Sequence, residues 1–369
     1  MMRNAIRIRE YDILRCILTV LVVIGHVSYL GHTTPWGGGV DYNRYLQSYG
    51  LNDAMAHKMV TLCCYLIYTF HMPLFMALSG ALFKHKSIGF TKAEMSFIEF
   101  FLLKFKRLLL PFLLVTIFYV IPIKYAVGYW SDSQNIVRDI ILGQIFVMGN
   151  NHLWFLPTLF LENLLFFIHW RYFENNLSVK NRWLFLIFLG LLSLASNGLS
   201  YYGVLMNVAK YSFWFYLGSC FERYREKMKQ VIEKRRLIVS FFIWCTLCIM
   251  IELSNYFGEL GNVIKPVIKM ICAMEGAYMI YLVSYFVSIG SIRISKLETL
   301  IMRDSFGIYL YSDTLNYLLL FWFSLIFGIS GFTSNLNMIV LAIVRFVFSL
   351  AVAVLITEFL RKIHAKYII

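Results

Sequence analysis

An arginine and a histidine eleven residues apart, Arg15 and His26, lie within one strongly apolar segment running from Ile13 to Leu30. Ionisable side chains at membrane depth are costly and mark functional paths. On a helix, eleven residues return the chain to within about 20° of its starting face and advance it about 16 Å. Both side chains therefore share a stripe, and Asp12 lies on nearly the same face one turn below Arg15. That stripe offers an acid–base pair at one rim and an imidazole deeper in. Imidazole accepts and releases protons near neutral pH, which suits general-base catalysis or a covalent relay. The plainer reading is that Arg15 snorkels to headgroups while His26 bonds a neighbouring helix.

Three further segments carry polar groups into apolar surroundings. In Thr69-Phe70-His71-Met72-Pro73-Leu74-Phe75-Met76-Ala77-Leu78-Ser79-Gly80, Pro73 removes a backbone donor and predicts a kink or break. Such breaks line cavities, and His71 lies about 16 Å along its span from the outer end near Val60. Lys104-Phe105-Lys106-Arg107-Leu108-Leu109-Leu110-Pro111 is a basic cluster able to hold phosphates through charge-assisted hydrogen bonds, although alone it is ordinary for a cytoplasmic flank. The stretch Asn151-His152-Leu153-Trp154-Phe155-Leu156-Pro157 precedes Glu162, about 13 Å further in, where a carboxylate needs a partner. Between Gly31 and Lys58, Trp36, Gly37 to Gly39, Asp41, Tyr42, Asn43, Tyr45 and Tyr49 form a mixture suited to stacking on a sugar or to interfacial anchoring.

The elements that must position these groups follow from composition. Of 369 residues, 60% are hydrophobic, 15% charged and 18% aromatic, with a mean hydropathy of +0.68, far from the soluble norm. Apolar runs of spanning length, roughly 20 residues, occur at Ile13–Leu30, Met59–Phe83, Leu108–Tyr125, Leu153–Trp170, Trp183–Leu199, Val204–Phe221, Leu237–Ser254, Val267–Ile289, Phe306–Gly328 and Met338–Leu360. Continuous runs indicate helices rather than barrel strands, because a helix satisfies its own backbone in lipid. The expected fold is all-α, a polytopic transmembrane helix bundle of about ten spans, organised as a single domain over residues 1–369.

Basic residues concentrate in alternate connections: Arg3, Arg7 and Arg9, then Lys84 to Arg107, Arg171 to Arg182, Arg223 to Arg236, Arg293 to Arg303, and Arg361 to Lys366. The intervening loops carry only Arg44, Lys58, Arg138 and Lys265. The positive-inside rule then places both termini in the cytoplasm. It also accounts for the net charge of +14 without a nucleic-acid partner, since the basic residues form no single face. The first segment resembles a signal peptide but lacks a small-residue cleavage site, so it reads as retained. Seven scattered cysteines supply no disulfide framework, and Cys245-x-x-Cys248 lacks a second metal-binding pair, so no metal is expected.

In order and spacing these motifs resemble the acyltransferase 3 family of integral membrane O-acyltransferases. Arg15-x10-His26 is similar to that family's first-helix pair, and Phe70 to Leu82 to its His-Met-Pro-Leu-Phe signature. Lys104 to Pro111 resembles its basic loop before a proline, His152 to Leu156 its His-Leu-Trp-Phe-Leu segment, and Phe306 to Leu310 a later motif. The likeness is nearest to compact carbohydrate O-acetyltransferases of the fucose 4-O-acetylase kind. Two departures stand out. The basic pair reads Lys104-x-x-Arg107 instead of Arg-x-x-Arg, losing one planar fork, and the histidine often found after Ile-Tyr-Leu is replaced by Tyr311-Ser312-Asp313. A pairing of Asp313 with Arg345 would need the last two spans to touch.

The resemblance implies an acetyl-CoA or other acyl-CoA donor substrate in the cytoplasm. The implied acceptor is a hydroxyl of a surface or exported carbohydrate or glycolipid, reached near the opposite side of the lipid bilayer. Arg15, Lys104 and Arg107 are then the expected donor-binding residues and His26 the expected general base, with an acyl-histidine relay as the alternative. His71 and Glu162 are expected to orient His26 or stabilise its imidazolium. The implied location is the cytoplasmic membrane of a bacterium, crossed many times. A transporter or glycan exporter is the rival reading, because broken helices and intramembrane histidines also mark coupled transport paths. Transporters often show paired halves with matching broken helices, and no such halves are evident here. A purely structural role is the third reading and predicts that these polar residues tolerate replacement.

Overall fold

The computed structural model describes residues 8–34, 38–92, 95–149, 151–196, 203–290 and 296–364. Arg3, Arg7, Trp36, Gly37, Arg293 and Lys366, used in the sequence reading, lie outside the described residues. The long helices are α1 (Arg9–Gly25), α2 (Met55–Tyr68), α3 (His71–Lys92), α4 (Phe97–Ala126), α5 (Phe155–Tyr172), α6 (Val179–Ser196), α7 (Gly203–Lys229), α8 (Lys234–Leu253), α9 (Gly258–Ile289), α10 (Lys296–Phe327) and α11 (Asn335–Lys362). Among the described residues the strands are a short antiparallel pair, β1 (Gly31–Thr33) and β2 (Gly39–Asp41), with Gly31 opposite Asp41. The fold is thus an all-α membrane protein.

Among the described residues, seven stretches are long and apolar enough to cross a membrane: Met55–Lys86, Phe97–Ala126, His152–Tyr172, Val179–Ser196, Lys234–Ile289, Glu298–Phe327 and Asn335–Lys362. Lys234–Ile289 contains two helices, α8 and α9, and α2 with α3 share the first stretch.

Local sequence explains where these helices start and bend. The break predicted at Pro73 falls at Thr69–Phe70, between α2 and α3. Pro73 occupies the third position of α3, where its missing N–H would have had no intrahelical partner. Helix α4 begins well before the predicted Leu108, because Ser96 and Glu99 form a capping box: Ser96 Oγ accepts from the Glu99 N–H at 3.2 Å and Glu99 Oε2 from the Ser96 N–H at 2.8 Å. The basic residues Lys104 to Arg107 consequently lie on a helix and not in a loop. Wide π-type turns at Phe105–Leu109 and Thr116–Val120 each stand just before a proline, Pro111 and Pro122. A proline ring collides with the carbonyl four residues back, and a wider turn relieves that collision.

The chain divides into two compact units. The first comprises Met1–Leu18, Tyr68–Phe105 and Thr158–Ser295. Its closest helix pair is α3 with α7, where glycines replace side chains at the contact. A Cβ at Gly80 would meet the Phe215 carbonyl oxygen at 1.8 Å, and one at Gly218 the Ala77 oxygen at 1.8 Å. Ser219 Oγ donates to the Gly80 oxygen at 2.9 Å across the same contact. Helix α7 overruns its predicted apolar segment by two turns, and the extra residues tie down the start of α1. Tyr11 donates to Glu222 at 2.5 Å, and Glu10 takes Arg225 at 2.7 Å and Lys229 at 2.6 Å. A largely apolar cavity of about 340 Å³ lies within this unit, lined by Leu14, Leu78, Trp183 and Trp214 together with Arg182 and Arg223.

The second unit comprises Thr19–Ile67, Lys106–Pro157 and Lys296–Ile369. Helices α10 and α11 form an antiparallel hairpin closed by a 3₁₀ turn at Ile329–Thr333, with Phe332 fully buried. The segment from Gly31 onward packs here too. Tyr42 is buried and stacks on Phe332 at 5.0 Å, and Asp41 caps the short helix Tyr42–Ser48. Tyr42 and Asp41 are thereby committed to structure, whereas Tyr45 and Tyr49 remain exposed. All seven cysteines are free thiols; Cys248 and Cys272 in the first unit lie buried with sulfurs 3.7 Å apart.

The glycine contact yields a direct test. Gly80→Ala and Gly218→Ala each force a methyl group into backbone, so each should destabilise the protein by about 1–3 kcal/mol. Thermal melting in detergent measures this, and unchanged melting in both variants would contradict the packing described.

Candidate functional site

His26 follows the last residue of α1 and begins the turn that leads to β1. Such a turn leaves carbonyl groups without helical partners. Arg345 on α11, 1% exposed, satisfies them: one terminal nitrogen donates to the Val27 oxygen at 2.7 Å and the Tyr29 oxygen at 2.8 Å, and the other to the His26 oxygen at 2.9 Å. Its Nε donates to Asn316 Oδ1 on α10 at 3.0 Å, and its plane lies 4.7 Å from the Tyr29 ring centre. Only a planar five-donor fork serves four oxygens in this way. The backbone of residues 26–29 is therefore held by a side chain of α11, which Asn316 of α10 in turn fixes.

Around the His26 ring the same unit gathers a carboxylate and a second imidazole. Asp313 Oδ1 lies 3.3 Å from His26 Nδ1, and Asp313 Oδ2 lies 3.3 Å from His152 Nδ1. The two imidazoles meet edge to face with centres 6.3 Å apart. Tyr29 donates its hydroxyl to Asp313 Oδ1 at 3.1 Å. The His26 side chain is 16% exposed, against 7% for Asp313 and 3% for His152, so His26 is the open member of the group.

Each partner is itself fixed. Asn151 caps the 3₁₀ turn His152–Trp154, accepting from the Leu153 N–H at 3.0 Å and donating to the Gln144 oxygen at 2.8 Å. His152 Nε2 stands 3.2 Å from the Leu310 oxygen, and Tyr309 donates to the His152 oxygen at 2.7 Å. Nearby, Lys124 is buried, donates to Gln144 Oε1 at 3.2 Å and faces the rings of Tyr129 and Tyr317 at 4.5 and 5.0 Å. Tyr317 in turn packs against Tyr29 at 5.6 Å. Aromatic faces attract a cation placed over them.

This arrangement can perform general-base chemistry. A carboxylate on Nδ1 of an imidazole favours the tautomer whose Nε2 lone pair is free, and it stabilises the imidazolium that forms when Nε2 takes a proton. Among the described residues no group of three or more His, Cys, Asp or Glu side chains is arranged to hold a metal ion.

The other residues singled out from sequence fall as follows. His71 is buried at the start of α3 in the first unit, edge-on to Tyr68 at 4.7 Å. Glu162, also in the first unit, is fully buried, and both its oxygens lie 3.1 Å from Ser212 Oγ, which donates to it. Arg15 is half-buried in α1. Lys104 lies over the Phe100 ring at 5.2 Å, and Arg107 is exposed. Within the second unit, the groups gathered around His26 are Asp313, His152 and Tyr29. Asp313 enters the sequence reading as a departure from a motif and His152 as a motif residue without a role. Their signal was chemical, since each is ionisable within or beside an apolar run.

With this geometry in view, the comparison with known families is informative. The chain matches the acyltransferase domain of the acyltransferase 3 family over residues 8–358, nearly its whole length, and belongs to that family. The protein is a membrane acyltransferase. No curated protein and no solved structure matches it.

The clamp on the His26 turn predicts a stability effect. Arg345→Leu strands four buried oxygens, each costing on the order of 1–3 kcal/mol, and Arg345→Lys cannot reproduce the fork. Both variants should melt well below wild type in detergent, with lysine recovering only a minor part. Wild-type melting of the leucine variant would show that the turn does not depend on the guanidinium.

Proposed function

We propose that this protein transfers an acyl group, acetyl in the first instance, from cytoplasmic acyl-CoA to a hydroxyl of a cell-surface or exported carbohydrate or glycolipid. It does so as a single functional domain of about ten spans in the cell membrane, with both termini in the cytoplasm. Family membership supplies the class of reaction. The observation that carries the residue assignment is the Asp313 carboxylate 3.3 Å from His26 Nδ1 on a turn fixed by Arg345.

In this reading His26 Nε2 removes the proton from the acceptor hydroxyl as its oxygen attacks the thioester carbonyl. The C–O bond forms, the C–S bond breaks, and the imidazolium returns its proton to the leaving sulfur, giving an O-acyl ester and free coenzyme A. Asp313 holds His26 in the required tautomer and balances the transient positive charge. Arg15, Lys104 and Arg107 take the anionic nucleotide end of the donor, with Lys104 contributing charge without a bidentate fork. His71 and Glu162 are secondary candidates. Exposed Tyr45 and Tyr49 offer stacking faces to an acceptor sugar.

The test is acyl transfer by purified protein in lipid, using radiolabelled acetyl-CoA and candidate glycans. His26→Ala should lose about 10²- to 10⁴-fold in kcat, the usual worth of a general base, and Asp313→Asn should lose at least tenfold. Arg15→Ala should chiefly raise KM for the donor. Equal base-labile glycan labelling by wild type, His26→Ala and Asp313→Asn would refute the assignment.

A further inference from the structure

The cavity of the first unit has apolar walls and a cationic lining in one place. Leu74 of α3, Leu186 of α6, Trp214 of α7 and Met274 of α9 supply apolar wall, and Arg182 of α6 and Arg223 of α7 supply charge, with no carboxylate among the described lining residues. The helices separate these groups by depth. Helix α6 is of spanning length and starts at Val179, so Arg182 and the exposed Trp183 stand in its first turns, at the boundary level that Trp and Arg favour. Leu186 follows one turn deeper. On α7, Trp214 precedes Arg223 by nine residues, about 13 Å along the axis.

The two guanidiniums are only partly engaged. Arg182 donates from Nε to Glu174 Oε1 at 3.1 Å and from one terminal nitrogen to the Glu174 main-chain oxygen at 3.1 Å. Arg223 reaches Oε1 through one terminal nitrogen. Among the described residues, the other terminal nitrogen of Arg182, and the Nε and other terminal nitrogen of Arg223, make no hydrogen bond. The side chains are 17% and 26% exposed, against 9% for Glu174, so the carboxylate is enclosed while the cations stay reachable. Glu222, just before Arg223, is taken by Tyr11, His85 and Arg225. Lys84 lines a smaller pocket together with Glu174 and Arg223. One enclosed carboxylate thus stands among three cations, an excess that attracts an anion.

We infer that this cavity binds an anionic phospholipid, its phosphate on Arg182 and Arg223 and part of one acyl chain along Leu186, Trp214 and Met274. The order of groups is that of a lipid standing in its leaflet, with the anion at the boundary and hydrocarbon at depth. Guanidinium N–H donors match phosphate oxygens in geometry as well as charge. An apolar cavity of about 150 Å³ takes up a benzene molecule, so one of about 340 Å³ accommodates a length of chain. A free phosphate would use the same donors and leave the apolar walls without a role. No residue assigned to acyl transfer lines the cavity, so its occupant is a question separate from the reaction.

The test uses the full chain in phosphatidylcholine nanodiscs doped with a phosphatidylglycerol that carries a photoreactive group midway along one acyl chain. Irradiation should label the peptides that contain Trp214 and Met274. Unlabelled phosphatidylglycerol should suppress that labelling, whereas added phosphatidylcholine and inorganic phosphate should not. Ala277→Phe fills the cavity from α9 without touching a charge and should abolish it. Arg223→Gln should shift half-maximal labelling to about tenfold more phosphatidylglycerol, the worth of one charge-assisted hydrogen bond. Thermal melting confirms that each variant is folded, and the competition in wild type decides the matter should a variant fail to fold. Equal labelling of the same peptides by a phosphatidylcholine carrying the same group overturns the inference, as does undiminished labelling of folded Ala277→Phe. Suppression by coenzyme A but not by phosphatidylglycerol would assign the cavity to the acyl donor and overturn it equally.

Discussion

A buried guanidinium determines where the rest of the candidate site can be. Arg345 spends its fork on four oxygens, three of them main-chain carbonyls of the turn that carries His26. An unpaired cation at this depth would be prohibitive, and unpaired carbonyls in the turn would be costly in their own right. Each solves the other's problem, which removes the freedom a turn usually has. Tyr29 is held by the same fork, so its hydroxyl arrives at Asp313 already aimed. Rigidity of this sort is what a catalytic imidazole requires, because tautomer and direction matter more to a base than proximity alone.

The two carboxylates considered for partnership with His26 differ in their surroundings. Glu162 sits in the first unit and, among the described residues, takes the Ser212 hydroxyl. Glu275, in the same unit, likewise takes Ser240 at 2.6 Å. A lone hydroxyl on the neighbouring helix suits a polar contact that pins two helices together. Asp313 has the Tyr29 hydroxyl and two imidazoles on its oxygens. That number of partners, drawn from three separate stretches of chain, belongs to a group whose orientation is being specified. The distinction rests on the kind of neighbours, since Glu162 and Asp313 are both buried.

Much of the architecture was legible from sequence because apolar length and periodicity are local signals. The all-α class and the break near Pro73 both come from short stretches read in isolation. The start of α4 was missed because the capping box Ser96–Glu99 lies outside the apolar run that marked the span. The pairing of His26 with Asp313 was missed for a different reason. The two residues come from opposite ends of the chain, and their meeting depends on α10 and α11 docking in one unit with the turn after α1. Nothing in the neighbourhood of Asp313 says which imidazole it will meet. The guess that Asp313 would seek Arg345 followed charge alone, whereas the guanidinium's donors go to carbonyls and to Asn316, one turn of α10 further on.

The replacement of a frequent family histidine by Tyr311-Ser312-Asp313 then takes on physical meaning. A helix repeats every 3.6 residues, so Asp313 shares a face with Tyr309 and Asn316, and each of these makes a contact that fixes the site: Tyr309 on the His152 carbonyl, Asn316 on Arg345. The carboxylate is presented by a stripe whose other members already hold both of its neighbours in place. Moving it one position along α10 would swing it about 100° away from that stripe. Asp313 is therefore the position on α10 from which one carboxylate reaches both imidazoles, and the chain's apparent departure from pattern is consistent with how its own helices are arranged.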